Sequence, residues 1–221
     1  MHGLGDAGES WTWMRRMRLP TSAVRWHFPT AAQRPVTLNA GHRMTAWFDL
    51  DDLPVTASTP DDEPGFAASV KRIHALIDEE VAAGVAPEHI VLGGFSQGGA
   101  MTLAAGLRYG RPLGGMVVVA GWMPMRATLD DWRDSASQST PLYFAHGDED
   151  DKVLQSLGVA AHAMLTQRGY AARWTSFGGG HSFPPRVASE VTAFIAGVMA
   201  PRPTAAGTAD AGTSGAATES T

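Results

Sequence analysis

Cysteine is missing altogether from this 221-residue chain. Its absence excludes disulfide scaffolds, thiolate metal sites and every enzyme that uses a cysteine nucleophile. It also suits a reducing compartment, so a cytoplasmic location is expected. Charge is sparse as well: Asp, Glu, Lys and Arg make up 18 % of the residues and the formal net charge is −5. With no basic stripe, nucleic acid is not an expected partner. No apolar run reaches the roughly 18 residues that a membrane span requires, so membrane contact is expected to be peripheral at most. The opening MHGLGDAGES lacks the basic segment and apolar run of a secretory signal. From Pro201 to Thr221 there is no aromatic residue and no Leu, Ile, Val or Met. Such a segment cannot bury enough apolar surface to offset the entropy of ordering it. Residues 1–200 are therefore read as one domain and 201–221 as a disordered tail.

What is present is an alternation of strands and helices. Residues 10–18 read as a short helix, 22–28 as a strand, and 30–63 as a long irregular stretch rich in Pro, Thr, Asn and Asp. The clearest helix is 65–83, where Phe66, Val70, Ile73, Ile77 and Val81 recur at steps of three and four. The short apolar run of 89–94 reads as a buried strand, and 97–110 as a helix packed closely through Gly and Ala. Strands are expected at 115–120, 141–145 and 172–177, with helices at 153–168 and 185–199. Near-continuous apolar strands between helices predict an α/β fold, a mostly parallel sheet with helices on both faces.

Gly94-Phe95-Ser96-Gln97-Gly98 lies between an expected strand and an expected helix. A G-x-S-x-G motif in that setting makes a turn so tight that side chains at 94 and 98 would strike neighbouring backbone. It holds a serine in a strained conformation, its hydroxyl exposed and the following helix N-terminus favouring negative charge. A serine hydroxyl is a weak nucleophile and needs a base, which in turn needs an orienting carboxylate. In the order serine, acid, histidine, three downstream histidines compete. His162 falls in mid-helix, and His146 ends a strand where it suits a backbone hydrogen bond. His181 follows the last strand on a glycine loop and is chosen as the base. The acidic loop 148–151 is not read as a metal site, because adjacent carboxylates cannot all turn inward. The H-G-x-x-D spacing selects Asp150, with Asp148 as the lesser choice. An oxyanion hole needs two backbone N–H donors. Gln97 follows the nucleophile, and Leu4 lies in the Gly-rich loop His2–Asp6.

Taken together, HGLGD at 2–6, RPVTLN at 34–39, WFD at 47–49, ALIDEEVAAGV, GGFSQGGA at 93–100, HGDED at 146–150 and GGGHSF at 178–183 resemble the acyl-protein thioesterase, carboxylesterase and lysophospholipase family of α/β-hydrolases. The resemblance spans about 1–199. It implies the triad Ser96, Asp150 and His181, oxyanion donors at Leu4 and Gln97, and no cofactor or metal. It implies as substrates S-acylated proteins or lipid esters, with the acyl chain in an apolar groove. Met44, Trp47, Phe48 and Trp122 are the candidate groove residues; Trp47 and Phe48 equally suit core packing, and Asp49 suits bracing of its loop. Asp151 and Lys152 depart from the Pro and apolar residues usual after the family's acid. A further departure lies at the start. The family places a central strand before HGLGD, whereas only Met1 precedes it here. The expectation is that about 15–30 upstream residues are missing, judged from strand and loop lengths.

Overall fold

The computed structural model describes residues 1–19 and 24–200. The expected tail, 201–221, lies outside the described residues, as do residues 22 and 23 of the strand expected at 22–28.

Six strands and five α-helices beyond the N-terminal loop set the site's frame. A small antiparallel hairpin pairs β1 (Gln33–Pro35) with β2 (Arg43–Thr45), Arg34 opposite Met44. The helix α1 (Glu63–Ala82) follows, then β3 (Val91–Phe95), α2 (Gln97–Gly106), β4 (Gly115–Val119), a one-turn α3 (Leu129–Trp132), β5 (Leu142–Gly147), α4 (Gln155–Gln167), β6 (Ala172–Phe177) and α5 (Pro185–Met199). The strands β3-β4-β5-β6 form one parallel sheet in chain order. The α/β reading, with a parallel sheet between helices, is borne out.

Period-two alternation explains the two covered faces. Met116, Val118, Leu142 and Phe144 pack with Leu103, Leu107, Ala161 and Leu165 of α2 and α4. Val117, Val119, Tyr143 and Ala145 point the other way, against Val187, Val191, Phe194 and Ile195 of α5. The apolar stripe of α1 is buried at Phe66, Val70, Ile73 and Ile77. That helix starts at a cap: the Asp62 carboxylate accepts from the Gly65 amide at 3.0 Å.

Four expectations change. The helix at 10–18 is a 3-10 helix, Gly8–Arg16. Residues 24–28 carry no strand pairing. The strand expected from 89 begins at Val91, because Pro87–His89 makes a 3-10 turn. The long irregular stretch contains the hairpin, whose pairing is set by contacts with distant residues and not by local pattern.

Beyond β3, on the edge away from β4, the N-terminal main chain takes up pairing. The Met1 nitrogen donates to the Gly93 carbonyl at 2.6 Å, and the Phe95 amide donates to the Met1 carbonyl at 3.1 Å. Donation in this order on either side of Gly94 is the parallel-ladder pattern. Burial pushes the Met1 amino group down to about 5. Next to this contact the edge of β3 opens on a largely apolar cleft of about 1590 Å³, walled by α1, α5 and the extended residues Trp26 and Phe28.

Candidate active site

Ser96 stands at the junction of β3 and α2 with φ 57° and ψ −122°. Positive φ in a non-glycine residue is costly and persists only where surroundings enforce it. The surroundings are close. A Cβ on Gly94 would lie 2.0 Å from the Gly98 carbonyl oxygen, and one on Gly98 would lie 2.3 Å from that of Met1. The Ser96 amide is tied to the Val119 carbonyl at 2.9 Å, which anchors the turn to β4. Its hydroxyl makes no capping bond to α2, and among the described residues it is hydrogen-bonded to none.

Asp150 and His181 meet above the C-terminal end of the sheet. Nδ1 of His181 lies 2.7 Å from Oδ2 of Asp150. A carboxylate accepts, so Nδ1 carries the proton and Nε2 is left as the acceptor. The other oxygen, Oδ1, accepts from the Lys152 and Val153 amides, each at 2.9 Å. Burial by itself would raise the Asp150 carboxyl. Hydrogen bonds from His146, His181 and the two amides outweigh it and hold the carboxyl well below the usual carboxylate range. Asp150 is thus ionised and fixed in direction at neutral pH. The His181 ring packs against Phe95, the neighbour of Ser96, with centroids 4.8 Å apart.

The loops that carry Asp150 and His181 are zipped together. The Glu149 amide donates to the Gly179 carbonyl at 3.0 Å, and the Gly179 amide donates to the Asp148 carboxylate at 3.0 Å. Asp148 therefore braces the loop of His181, while Asp151 pairs with Lys152 at 3.2 Å. The four neighbouring carboxylates diverge. Among the described residues, no group of three His, Cys, Asp or Glu side chains converges on a metal position.

The loop of Leu4 passes over Ser96: a Cβ on Gly3 would lie 3.4 Å from Cβ of Ser96. Its bracing was not foreseen. His2 is buried, its Nδ1 donates to the Gly3 carbonyl at 2.7 Å, and its Nε2 accepts from the Ala31 amide at 2.9 Å. Burial lowers this imidazole, against an opposing effect of the bond to Gly3. The neutral ring then fits both partners with a single tautomer. The initial His of HGLGD was the available signal. On the far side, the Gly5 amide donates to Thr45 at 2.8 Å, so β2 supports the same loop.

Gln97 is buried with its side chain turned to the segment 47–48. Trp47 and Phe48, expected to line a groove or to pack, are packed: their exposures are 1 % and 2 %. Phe48 stacks on Phe66 at 3.9 Å and meets Trp122 edge-on at 5.8 Å. The Trp47 indole N–H donates to the His2 carbonyl at 3.0 Å. Trp122 is buried as well, whereas Met44 is half-exposed beside Gly5. Asp49 braces its loop as expected, accepting from the Thr37 amide and hydroxyl and from Leu50. His146 and His162 both bond backbone carbonyls, at 2.8 Å and 3.2 Å.

A strained serine at a helix start, its neighbour Phe95 packed against an imidazole that a buried carboxylate orients, is compatible with acyl transfer through a serine. Comparisons with known proteins agree. A family model described as Phospholipase/Carboxylesterase matches residues 1–199. A probable carboxylesterase SOBER1-like from Arabidopsis thaliana is 39 % identical over 187 residues, 82 % of this chain and 71 % of the relative. An acyl-protein thioesterase 1 from Gibberella zeae is 37 % identical over 213 residues, covering 91 % of this chain and 90 % of its own. The crystal structure of Arabidopsis thaliana SOBER1 superposes with a TM-score of 0.85 at 35 % identity, covering 90 % of this chain and 96 % of that one. This chain belongs to the phospholipase/carboxylesterase family of α/β-hydrolases, and it is a hydrolase.

Proposed function

We propose that the chain is a serine hydrolase that cleaves long-chain acyl thioesters on S-acylated proteins, together with related carboxyl esters and lysophospholipids, through an acyl-enzyme. The observation that carries the proposal is the 2.7 Å bond between Asp150 and His181, whose ring packs on Phe95, the neighbour of the strained Ser96. Ser96 Oγ attacks the acyl carbonyl as His181 Nε2 takes its proton. The Leu4 and Gln97 amides receive the developing oxyanion. The imidazolium, stabilised by Asp150, then protonates the departing thiol or alcohol. Water activated by the same Nε2 attacks the acyl-enzyme and releases the fatty acid. We assign the enzyme to the cytoplasm, where a chain without cysteine loses nothing to a reducing medium.

A second reading is a carboxylesterase for short, soluble esters. It is favoured by the burial of Trp47, Phe48 and Trp122, which leaves Met44 alone of the four candidates half-exposed. The test has two parts. Fluorophosphonate labelling followed by mass spectrometry is expected to place the adduct on Ser96, and Ser96→Ala is expected to abolish both label and turnover. Residual turnover within about tenfold of wild type would remove Ser96 as nucleophile. A chain-length series of p-nitrophenyl esters and acyl thioesters then separates the two readings, since preference for acetyl over octanoyl and longer chains selects the esterase.

A further inference from the structure

His146 has no part in the mechanism above, yet its ring is 1 % exposed and lies against the acid. It is the last but one residue of β5 and stacks on Trp174 of β6, with centroids 6.3 Å apart. Nε2 lies 2.8 Å from the Val153 carbonyl oxygen. A carbonyl only accepts, so this nitrogen carries the proton. The same nitrogen lies 3.2 Å from Asp150 Oδ2, the oxygen that receives His181. One N–H thus faces two oxygens of a single turn, the carbonyl being the nearer. Helix α4 is cut back to admit the ring, because a Cβ on Gly158 would lie 2.4 Å from its Nδ1.

We infer that His146 is a positioning residue: its Nε2–H pins the Val153 carbonyl, fixes the turn 150–153 and so aims Asp150 Oδ2 at His181. This rests on the serine-hydrolase reading. The turn has another anchor, since the Val55 amide donates to the Lys152 carbonyl at 2.8 Å. That bond holds Lys152 and reaches neither the Val153 carbonyl nor the carboxylate, so without the His146 donor the chain keeps its path at Lys152 while the Val153 end of the turn is released and the carboxylate loses its aim. The remaining groups around the pair are few. Asp148, Glu149, Asp151 and Lys152 of the same loop are exposed. Gln155 and Gly158 of α4 and Trp174 and Ser176 of β6 are uncharged, His162 of α4 reaches Trp174 at 5.8 Å, and His181 is the partner itself.

His146→Phe keeps a ring and removes the donor; His146→Gln keeps an N–H. Active sites of the full chain are counted by fluorophosphonate titration, and p-nitrophenyl ester hydrolysis per active site is followed across pH. His146→Phe is expected to lower kcat per site by about ten- to a hundredfold, the cost of a small misplacement of catalytic groups. KM stays within about twofold, and the acidic limb of kcat/KM moves to lower pH, because the imidazolium of His181 loses its aligned carboxylate. His146→Gln is expected within about threefold of wild type. Unchanged kcat per site with an unmoved limb, or equal losses in both variants, would overturn the inference. Should His146→Phe fail to fold, Gly158→Ala, which presses on the ring from α4, carries the same expectation and the same refutation. A wild-type chain that takes no label on Ser96 overturns the hydrolase reading and this inference together. A labelled wild type with unaltered variants overturns this inference alone.

Discussion

Gln97 clasps the Trp47–Phe48 segment at both ends: its Oε1 accepts from the Trp47 amide at 2.9 Å and its Nε2 donates to the Phe48 carbonyl at 2.8 Å. The residue that follows Ser96 therefore ties the elbow to the segment after the hairpin. Gln97→Ala leaves a buried N–H and a buried C=O without partners, at about 1–3 kcal/mol each. Urea unfolding is expected to show a loss of at least about 2 kcal/mol by that reckoning, with slower fluorophosphonate labelling. Wild-type stability would show the clasp to be dispensable.

Gly98 faces the main chain of Met1 and His2, where an added Cβ would lie 2.3 Å and 2.7 Å from their carbonyl oxygens. Backbone cannot yield as a flexible side chain can, so Gly98→Ala must displace the segment that leads into the Leu4 loop. Loss of one oxyanion donor costs about a hundred- to a thousandfold in kcat. Gly98→Ala is expected to approach that loss while circular dichroism stays near wild type; kcat within a few-fold of wild type would show that the loop tolerates the shift.

Phe48 and Met44 separate core from rim. Phe48→Ala removes a ring stacked on Phe66 and is expected to cost about 3–5 kcal/mol in a thermal or urea melt. Met44→Ala, at a half-exposed position, is expected within about 1 kcal/mol of wild type and to change acyl-chain preference in the p-nitrophenyl ester series. The reverse pattern would move the groove to Trp47 and Phe48.

Two depressed groups give acid sensitivity of the same sign. The Asp150 carboxyl is held low by its hydrogen bonds, so its stabilisation is complete above the unfolded carboxylate value of about 3.9 and is lost as pH falls through the folded one. His2 is lowered by burial. The unfolded chain then binds a proton first as pH falls below about 6.5, and stability drops with it. Urea unfolding of wild type and His2→Gln is expected to show wild type losing more stability between roughly pH 7 and 5. Parallel curves would refute this account of His2.

The readings that held were those carried by short-range chemistry. Phe66, Val70, Ile73 and Ile77 repeat at helical spacing, and they are the buried face of α1. The glycine at 94 follows from the sterics of one turn, where an added Cβ would meet the Gly98 carbonyl, whereas at 98 the obstacle is the distant main chain of Met1 and His2. Gln33–Pro35 and Arg43–Thr45 offered no such pattern: three-residue strands with half-exposed side chains are defined by their pairing and by the bond from Gly5 to Thr45. Nor could the motif HGLGD show that its histidine braces the loop through Ala31, since that partner is 29 residues away.

The amino-acid sequence alone determined the α/β order, the elbow around Ser96 and the family, because periodicity and tight turns act over a few residues. Tertiary structure decided the rest. It placed the Asp150 carboxylate against His181 and His146, closed Trp47 and Phe48 into the core, and set the Leu4 loop over Ser96. Each of these depends on hydrogen bonds and packing between segments far apart in the chain, whose approach is set by the burial of the whole sheet and not by any local run of residues.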